Sequence, residues 1–304
     1  MKALQINHLS KKYASGTFAL NDINFSVEEG AFVGLLGPNG AGKSTLIGIL
    51  SSLVQKTSGE VEIFNYNIDK NFNAAKAFLG VVPQEFNFVL FDTVQEVVIN
   101  QAGFYGLSYD VALARSENYL KLLGLWEKRH TAIHRLSGGM KRRLMIVCAL
   151  IHEPKLLILD EPTAGVDVEL RRFIWDFLKD LNKKEGKTII LTTHYLEEAE
   201  MLCDRVAIIN GGQLVANELT QTLIEQLPSE CFLLTLAQPL KKTPIILDYD
   251  LRLIDSLTLE VNILRNQRIN DLFHELTTQN IFVIGLRNKV NRLEELFLRL
   301  TKLS

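Results

Sequence analysis

At 304 residues the chain is too long for one average domain and too short for three, so one large domain with a smaller one is expected. Apolar residues at 47% and charged ones at 22% exclude long stretches of disorder. The 33 Lys and Arg nearly cancel the 35 Asp and Glu, and a net charge of -2 supplies no field to gather nucleic acid, which is excluded as an expected partner.

Polar residues between Met1 and His8 interrupt any run long enough for a signal-peptide core, so no secretion signal is expected. Residues 4–9 and 18–27 are β-rich, and 31–36 form a nearly continuous apolar run that predicts a strand buried on both faces. A further strand is predicted at 78–82. From about Glu85 to Arg135 strand signals give way to helical ones, with 93–103 and 111–123 as candidate helices, which predicts an inserted helical subdomain. The next helical pattern carries Met140, Leu144, Val147 and Ile151 on one face, with Ser137 placed as its N-cap and Lys141-Arg142-Arg143 as a solvated first turn. Apolar runs at 155–159 and 188–192 predict two more buried strands, and helical patterns between them imply a mostly parallel sheet with covering helices. Gly211-Gly212, between 206–210 and 213–217, predicts a tight hairpin whose glycines accept positive φ.

After a helical stretch at 220–227, Pro228-Ser229 reads as a boundary. Beyond it, strands near Phe232, Leu257 and Ile281 and helices near Ile269 and Leu293 predict a small α+β domain. No internal repeat is visible, and no run of about 18 apolar residues occurs, so any membrane-spanning part must come from another polypeptide. Cys148, Cys203 and Cys231 lack C-x-x-C spacing, which fits neither a disulfide framework nor a zinc site and suits a reducing cytosol.

Three motifs carry chemistry. Gly37-Pro38-Asn39-Gly40-Ala41-Gly42-Lys43-Ser44-Thr45 matches G-x-x-x-x-G-K-S/T directly after a predicted buried strand. In that pattern glycines turn backbone N–H groups inward around phosphate oxygens, Lys43 reaches the β- and γ-phosphates, and Ser44 ligands Mg²⁺. Asp160-Glu161 ends the run 155–159, where two carboxylates need a cation or solvent; Asp160 is the candidate for the Mg²⁺ shell and Glu161 for polarising an attacking water. Leu136-Ser137-Gly138-Gly139-Met140 opens a helix whose N-terminus can hold an anion.

With Asp160-Glu161-Pro162-Thr163 and His194 after the strand at 188–193, these motifs stand in the order and spacing of ABC ATPases, which the chain resembles over about residues 1–220. The resemblance implies a P-loop α/β core with an N-terminal antiparallel β subdomain and a helical insertion at about 85–135, followed by the α+β domain at 221–304. It implies that Tyr13 stacks on adenine, that Gln84 links Mg²⁺ and water to the transporter contact, and that His194 contacts the γ-phosphate. Ser137, Gly138, Gly139 and Asp167 would complete a nucleotide site across two ATPase subunits facing head to tail. ATP and Mg²⁺ are the implied ligands. The implied partners are a second copy of the chain and an integral membrane permease, with the subunit peripheral on the cytoplasmic face of the inner membrane. The groove for that permease would start at Gln84 and be lined by residues such as Phe86, Phe88 and Phe91. Met140 in place of Gln, Ala164-Gly165-Val166-Asp167, and the C-terminal Asn291-Arg292-Leu293-Glu294-Glu295-Leu296-Phe297 resemble the type-2 exporter group.

Two rivals share parts of this pattern. A GTPase or small-molecule kinase would use the P-loop, but Glu185 stands where the guanine-reading Asn182-Lys183-Lys184 needs Asp, and the 136–140 motif would have no role. A non-transport ABC ATPase of translation or repair ordinarily carries a second cassette, a coiled coil or a zinc insertion, none of which is visible in the sequence.

Overall fold

Alternation of apolar and polar residues makes β1 (Lys2–Lys12) and β2 (Phe18–Glu28) antiparallel neighbours with one buried face, including Leu4, Ile6, Leu9, Ile23 and Phe25. β3 (Phe32–Leu36) is buried at every position and leads into α1 (Lys43–Leu50). The computed structural model describes residues 1–227, 229–289 and 292–302. β4 (Ser58–Ile63) and β5 (Tyr66–Asn67) extend the first sheet to the order β2-β1-β4-β5, and α2 (Phe72–Ala77) leads to β6 (Leu79–Val82).

The helical insertion follows. α3 (Val94–Phe104) opens on a capping box in which Thr93 and Glu96 satisfy each other's backbone N–H groups, and α4 (Tyr109–Leu122) packs with it. The chain then returns through α5 (Gly138–Leu150), β7 (Leu156–Asp160), α6 (Val168–Glu185), β8 (Thr188–Thr192), α7 (Leu196–Leu202), β9 (Arg205–Asn210) and β10 (Gln213–Leu219). The six-stranded sheet has the order β10-β9-β3-β8-β7-β6 and is parallel except for β10, which folds back on β9 through Gly211 and Gly212 at φ 55° and 78°. The inner face of the antiparallel sheet and α1 share one hydrophobic core with β3, β7 and β8.

A second compact unit begins at Thr220. It comprises α8 (Thr220–Glu225), β11 (Ser229–Leu236), β12 (Asp250–Asp255), β13 (Thr258–Leu264), α9 (Ile269–Thr278), β14 (Val283–Asn288) and α10 (Arg292–Lys302). Its antiparallel sheet runs β12-β13-β11-β14, and Leu234, Val261, Leu272 and Leu276 centre a core of its own.

Four sequence expectations are revised. The strand expected near Leu257 is two strands, β12 and β13, with Leu257 in the turn between them, because an Asp-Ser-Leu turn carries no glycine or proline to announce it. Phe78, expected as the first residue of the strand at 78–82, instead caps α2 and contacts the rings of Phe64 and Tyr66. Arg142 is buried, not part of a solvated turn. β4, β5 and α2, between residues 58 and 77, carried too little periodicity to be anticipated. Pro228 of the expected boundary and Asn291 of the C-terminal motif lie outside the described residues. No disulfide joins the three cysteines, and burial pushes the Cys148 thiol up to about 12.

His152, just beyond α5, ties that helix to the start of β6. Its ring stacks on Tyr105 with centroids 3.5 Å apart, and its Nε2–H donates to the Leu79 carbonyl at 3.0 Å. Burial lowers its pKa from the usual 6.5 to about 4. The unfolded chain therefore takes up a proton near pH 6.5 that the folded chain refuses until about pH 4, and stability falls as pH drops through that window. The loss reaches at most about 3 kcal/mol. His152→Gln should flatten this part of the acid response, measured as the difference in urea-unfolding free energy between about pH 7.5 and pH 5.

Candidate functional site

The loop from β3 to α1 is built on glycines that nothing larger replaces. Gly40 and Gly42 adopt φ of 79° and 113°, and a Cβ on Gly42 would lie 2.4 Å from the Ala19 carbonyl oxygen. A Cβ on Gly37 would come within 2.3 Å of the Ile209 carbonyl oxygen, so the loop is seated directly against β9. Lys43 Nζ donates to the carbonyls of Gly37 and Pro38 at 2.6 and 3.1 Å, holding its ammonium inside the loop. Burial lowers the Lys43 pKa, and the nearby charges of Glu161 and Asp160 oppose that shift. Asn39, Gly40, Ala41, Gly42, Lys43, Ser44 and Thr45 line a cavity of about 190 Å³ together with Gln84, Asp160 and Glu161. Tyr13 reaches the same loop through its hydroxyl, 3.4 Å from Thr45 Oγ1.

The acid pair is positioned by strand register. Asp160 lies opposite Thr192 in the parallel pairing of β7 with β8, and the Thr192 hydroxyl donates to Asp160 Oδ1. The Glu161 N–H in turn donates to the Thr192 carbonyl and hydroxyl oxygens, both at 3.1 Å. Burial raises the Asp160 pKa; the Thr192 hydrogen bond and the charges of Lys43 and Arg142 counter it, whereas Glu161 adds to it. Glu161 itself turns out of the strand at φ 49°, a left-handed conformation that costs of order 1 kcal/mol in a non-glycine residue. That turn brings one oxygen, Oε2, to 3.2 Å from Gln84 Nε2 and 3.2 Å from His194 Nδ1. Three residues from three loops thus meet on a single carboxylate oxygen beside a phosphate-sized cavity. Such an arrangement can orient a water molecule against a phosphoryl group held by the glycine loop.

Ser137 and Asp167 lie outside the cavity lining and act as N-caps, Ser137 accepting from Met140 N at 3.2 Å and Asp167 from Leu170 N at 2.8 Å. The first turns of α5 and α6 lie close together, since a Cβ on Gly139 would touch the Leu170 side chain at 2.4 Å. Gly138, by contrast, has nothing within 4 Å of a Cβ position, which leaves the start of α5 open.

Two supporting residues escaped the sequence reading. Thr192 is invisible without the register that sets it opposite Asp160. Glu198 on α7 is fully buried, with Oε1 receiving the Thr163 hydroxyl at 2.9 Å and the Trp175 indole N–H at 2.7 Å. It fastens the segment after Glu161 to α6 and α7, and burial raises its pKa. An acidic cluster in a short helix gives no hint that one member points inward.

Comparison with known proteins agrees with this geometry. The family model described as ABC transporter matches residues 20–164. The linearmycin resistance ATP-binding protein LnrL of Bacillus subtilis is 35% identical over 98% of both chains. The Nod factor export ATP-binding protein I of Bradyrhizobium diazoefficiens is 40% identical over 68% of this chain and 67% of that one. Among solved structures, an ATP-binding cassette captured as a post-hydrolysis dimer with ADP and Pi superposes with a TM-score of 0.66 at 29% identity, covering 71% of this chain and 98% of that one.

Removing the loop cation tests the phosphate site. A ligand at 100 times its dissociation constant stabilises a fold by about 2.7 kcal/mol. Lys43→Ala should lose most of the MgATP-induced rise in melting temperature and all measurable turnover, while melting normally in the absence of nucleotide.

Proposed function

The chain belongs to the ATP-binding proteins of ABC transporters, and from that premise we propose that it hydrolyses ATP as one of two head-to-tail ATPase subunits driving a separate membrane permease in an exporter. It is an ATPase of the type-2 exporter-like group, with a P-loop α/β core. The observation that carries the mechanism is the convergence of Gln84, Glu161 and His194 on one oxygen.

In this reading the N–H groups of residues 39–45 and the Lys43 ammonium bind the phosphates, and Tyr13 stacks on adenine. Among the described residues no group of three His, Cys, Asp or Glu forms a metal site. Mg²⁺ fits here nonetheless, since it binds through one or two carboxylates plus substrate phosphates and keeps several waters. Ser44, Asp160 and Gln84 would hold it, and it would neutralise charge on the β- and γ-phosphates. Glu161 takes the role of polarising the attacking water; its backbone is fixed by Thr192 and its carboxylate aimed by Gln84 and His194. In the same reading His194 also contacts the γ-phosphate. Ser137, Gly138, Gly139 and Asp167, outside the cavity of their own chain, are the residues offered to the nucleotide of the second subunit.

No helix among the described residues is long and apolar enough to cross a membrane, and the reading as a transporter subunit puts the chain on the cytoplasmic face, peripheral to a permease that supplies the span. The docking surface we assign to that partner is a groove of about 870 Å³ between β6, α3, α4 and α5, lined in part by Phe88, Val89, Phe104, Leu107, Tyr109 and Met145. Phe104 is 86% exposed, an unusual degree for a large apolar side chain. Of the phenylalanines that follow Gln84, Phe88 lines this groove, whereas Phe86 packs on Arg142 and Phe91 on His134.

Glu161→Gln keeps the shape of the carboxylate but not its basicity, so ATP should still bind, kcat should fall roughly 100-fold or more, and dimers should accumulate on size-exclusion chromatography with MgATP. A variant hydrolysing at the wild-type rate refutes the role of Glu161. Phe88→Ala should abolish co-purification with the permease while leaving ATPase activity and melting temperature unchanged; a fall of several degrees with the permease still bound would make Phe88 a packing residue.

A further inference from the structure

A buried guanidinium joins the helix that begins at Ser137 to the loop that carries Gln84. Arg142 stands one turn into α5 and is 4% exposed. Its Nη1 donates to the Pro83 carbonyl at 3.1 Å and its Nη2 to the Gln84 carbonyl at 3.0 Å, while the Phe86 ring centroid lies 5.1 Å from the guanidinium carbon. Arginine thus grips two successive carbonyls with the two prongs of one rigid fork, a geometry a lysine ammonium does not reproduce. An ionised group this deep is expensive unless compensated, and here Asp160 and Glu161 oppose the burial that lowers its pKa.

The far end of the loop it grips is tied by the Leu90 and Asp92 carbonyls, which accept from the His134 and Ile133 N–H groups at 3.0 Å, whereas the near end is held through the Pro83 and Gln84 carbonyls by Arg142. Residues 83–92 form no helix or strand, yet Gln84 must keep its amide within 3.2 Å of Glu161 Oε2. Hydrogen bonds weaken steeply beyond such distances, so a shift of about 1 Å in the backbone at Gln84 removes the contact. We infer that Arg142 is a positioning residue for hydrolysis, clamping the backbone of Pro83 and Gln84 to α5 and so holding the Gln84 side chain against Glu161. This rests on the reading of Glu161 as the hydrolytic carboxylate.

A double-mutant cycle separates this role from that of an ordinary buried tie. Arg142→Lys and Arg142→Met are each made in the wild-type chain and in a Gln84→Ala background, and turnover is followed with radiolabelled ATP. The clamp predicts that Arg142→Lys lowers kcat about tenfold with KM for MgATP within about twofold and the MgATP-induced thermal shift retained. In the Gln84→Ala background the same change should cost less than about twofold, because the group it acts through is gone. An unchanged kcat in Arg142→Lys, or equal losses in both backgrounds, overturns the inference. Should Arg142→Met not fold, Arg142→Lys, which keeps the charge and most of the stem, decides alone. Glu161→Gln assayed alongside keeps the two readings apart. Wild-type turnover there defeats the catalytic assignment, whereas an inactive Glu161→Gln beside a fully active Arg142→Lys defeats the clamp only.

Discussion

The parallel pairing of β7 with β8 is the constraint on which the site depends. One register, Asp160 opposite Thr192, lets a single hydroxyl donate to the Asp160 carboxylate and accept from the Glu161 N–H. A slip by one residue would turn Asp160 to the other face of the sheet and part the Glu161 N–H from Thr192. The register is secured by buried runs in both strands, so the catalytic geometry is a by-product of core packing: Leu156–Leu159 and Thr188–Leu191 have no freedom to move without exposing apolar surface.

Around that pair the charges are arranged to be mutually supportive. Lys43 and Arg142 are both partly desolvated, and each is opposed in this by the same two carboxylates. Asp160, squeezed by burial and by Glu161, is relieved by the Thr192 hydroxyl and by both cations. Removing any one member leaves another charge under-compensated, which is why effects at this site are expected to be non-additive.

The sequence made the short-range parts of this arrangement legible. The glycine loop, the acid pair and the Gly211-Gly212 hairpin are each specified within a few residues, because the constraint is a local backbone conformation. Long-range partners were not. Thr192 lies 32 residues from Asp160 and Arg142 lies 58 from Gln84, so neither spacing nor periodicity reveals them. Arg142 was masked further by its neighbours, since three consecutive basic residues read as a wet helical turn and only the tertiary fold buries the middle one. The strand expected near Leu257 proves to be a hairpin of two, β12 and β13, and the division is hidden because an apolar residue occupies the turn.

The attachment of α5 to β6 has a mechanical consequence. At one end of the helix Arg142 holds the residues just beyond β6; at the other the Gly80 backbone admits the Ala149 carbonyl so closely that a Cβ would lie 2.4 Å from it, and His152 bonds Leu79. A 13-residue helix is about 20 Å long, and it is pinned near both ends. Neither sliding along β6 nor rotation about the helix axis is open to it without breaking one set of pins. Helix and strand are therefore joined as one stiff piece, and the open N-terminus beside Ser137 and the residues that follow β6 belong to the same rigid unit.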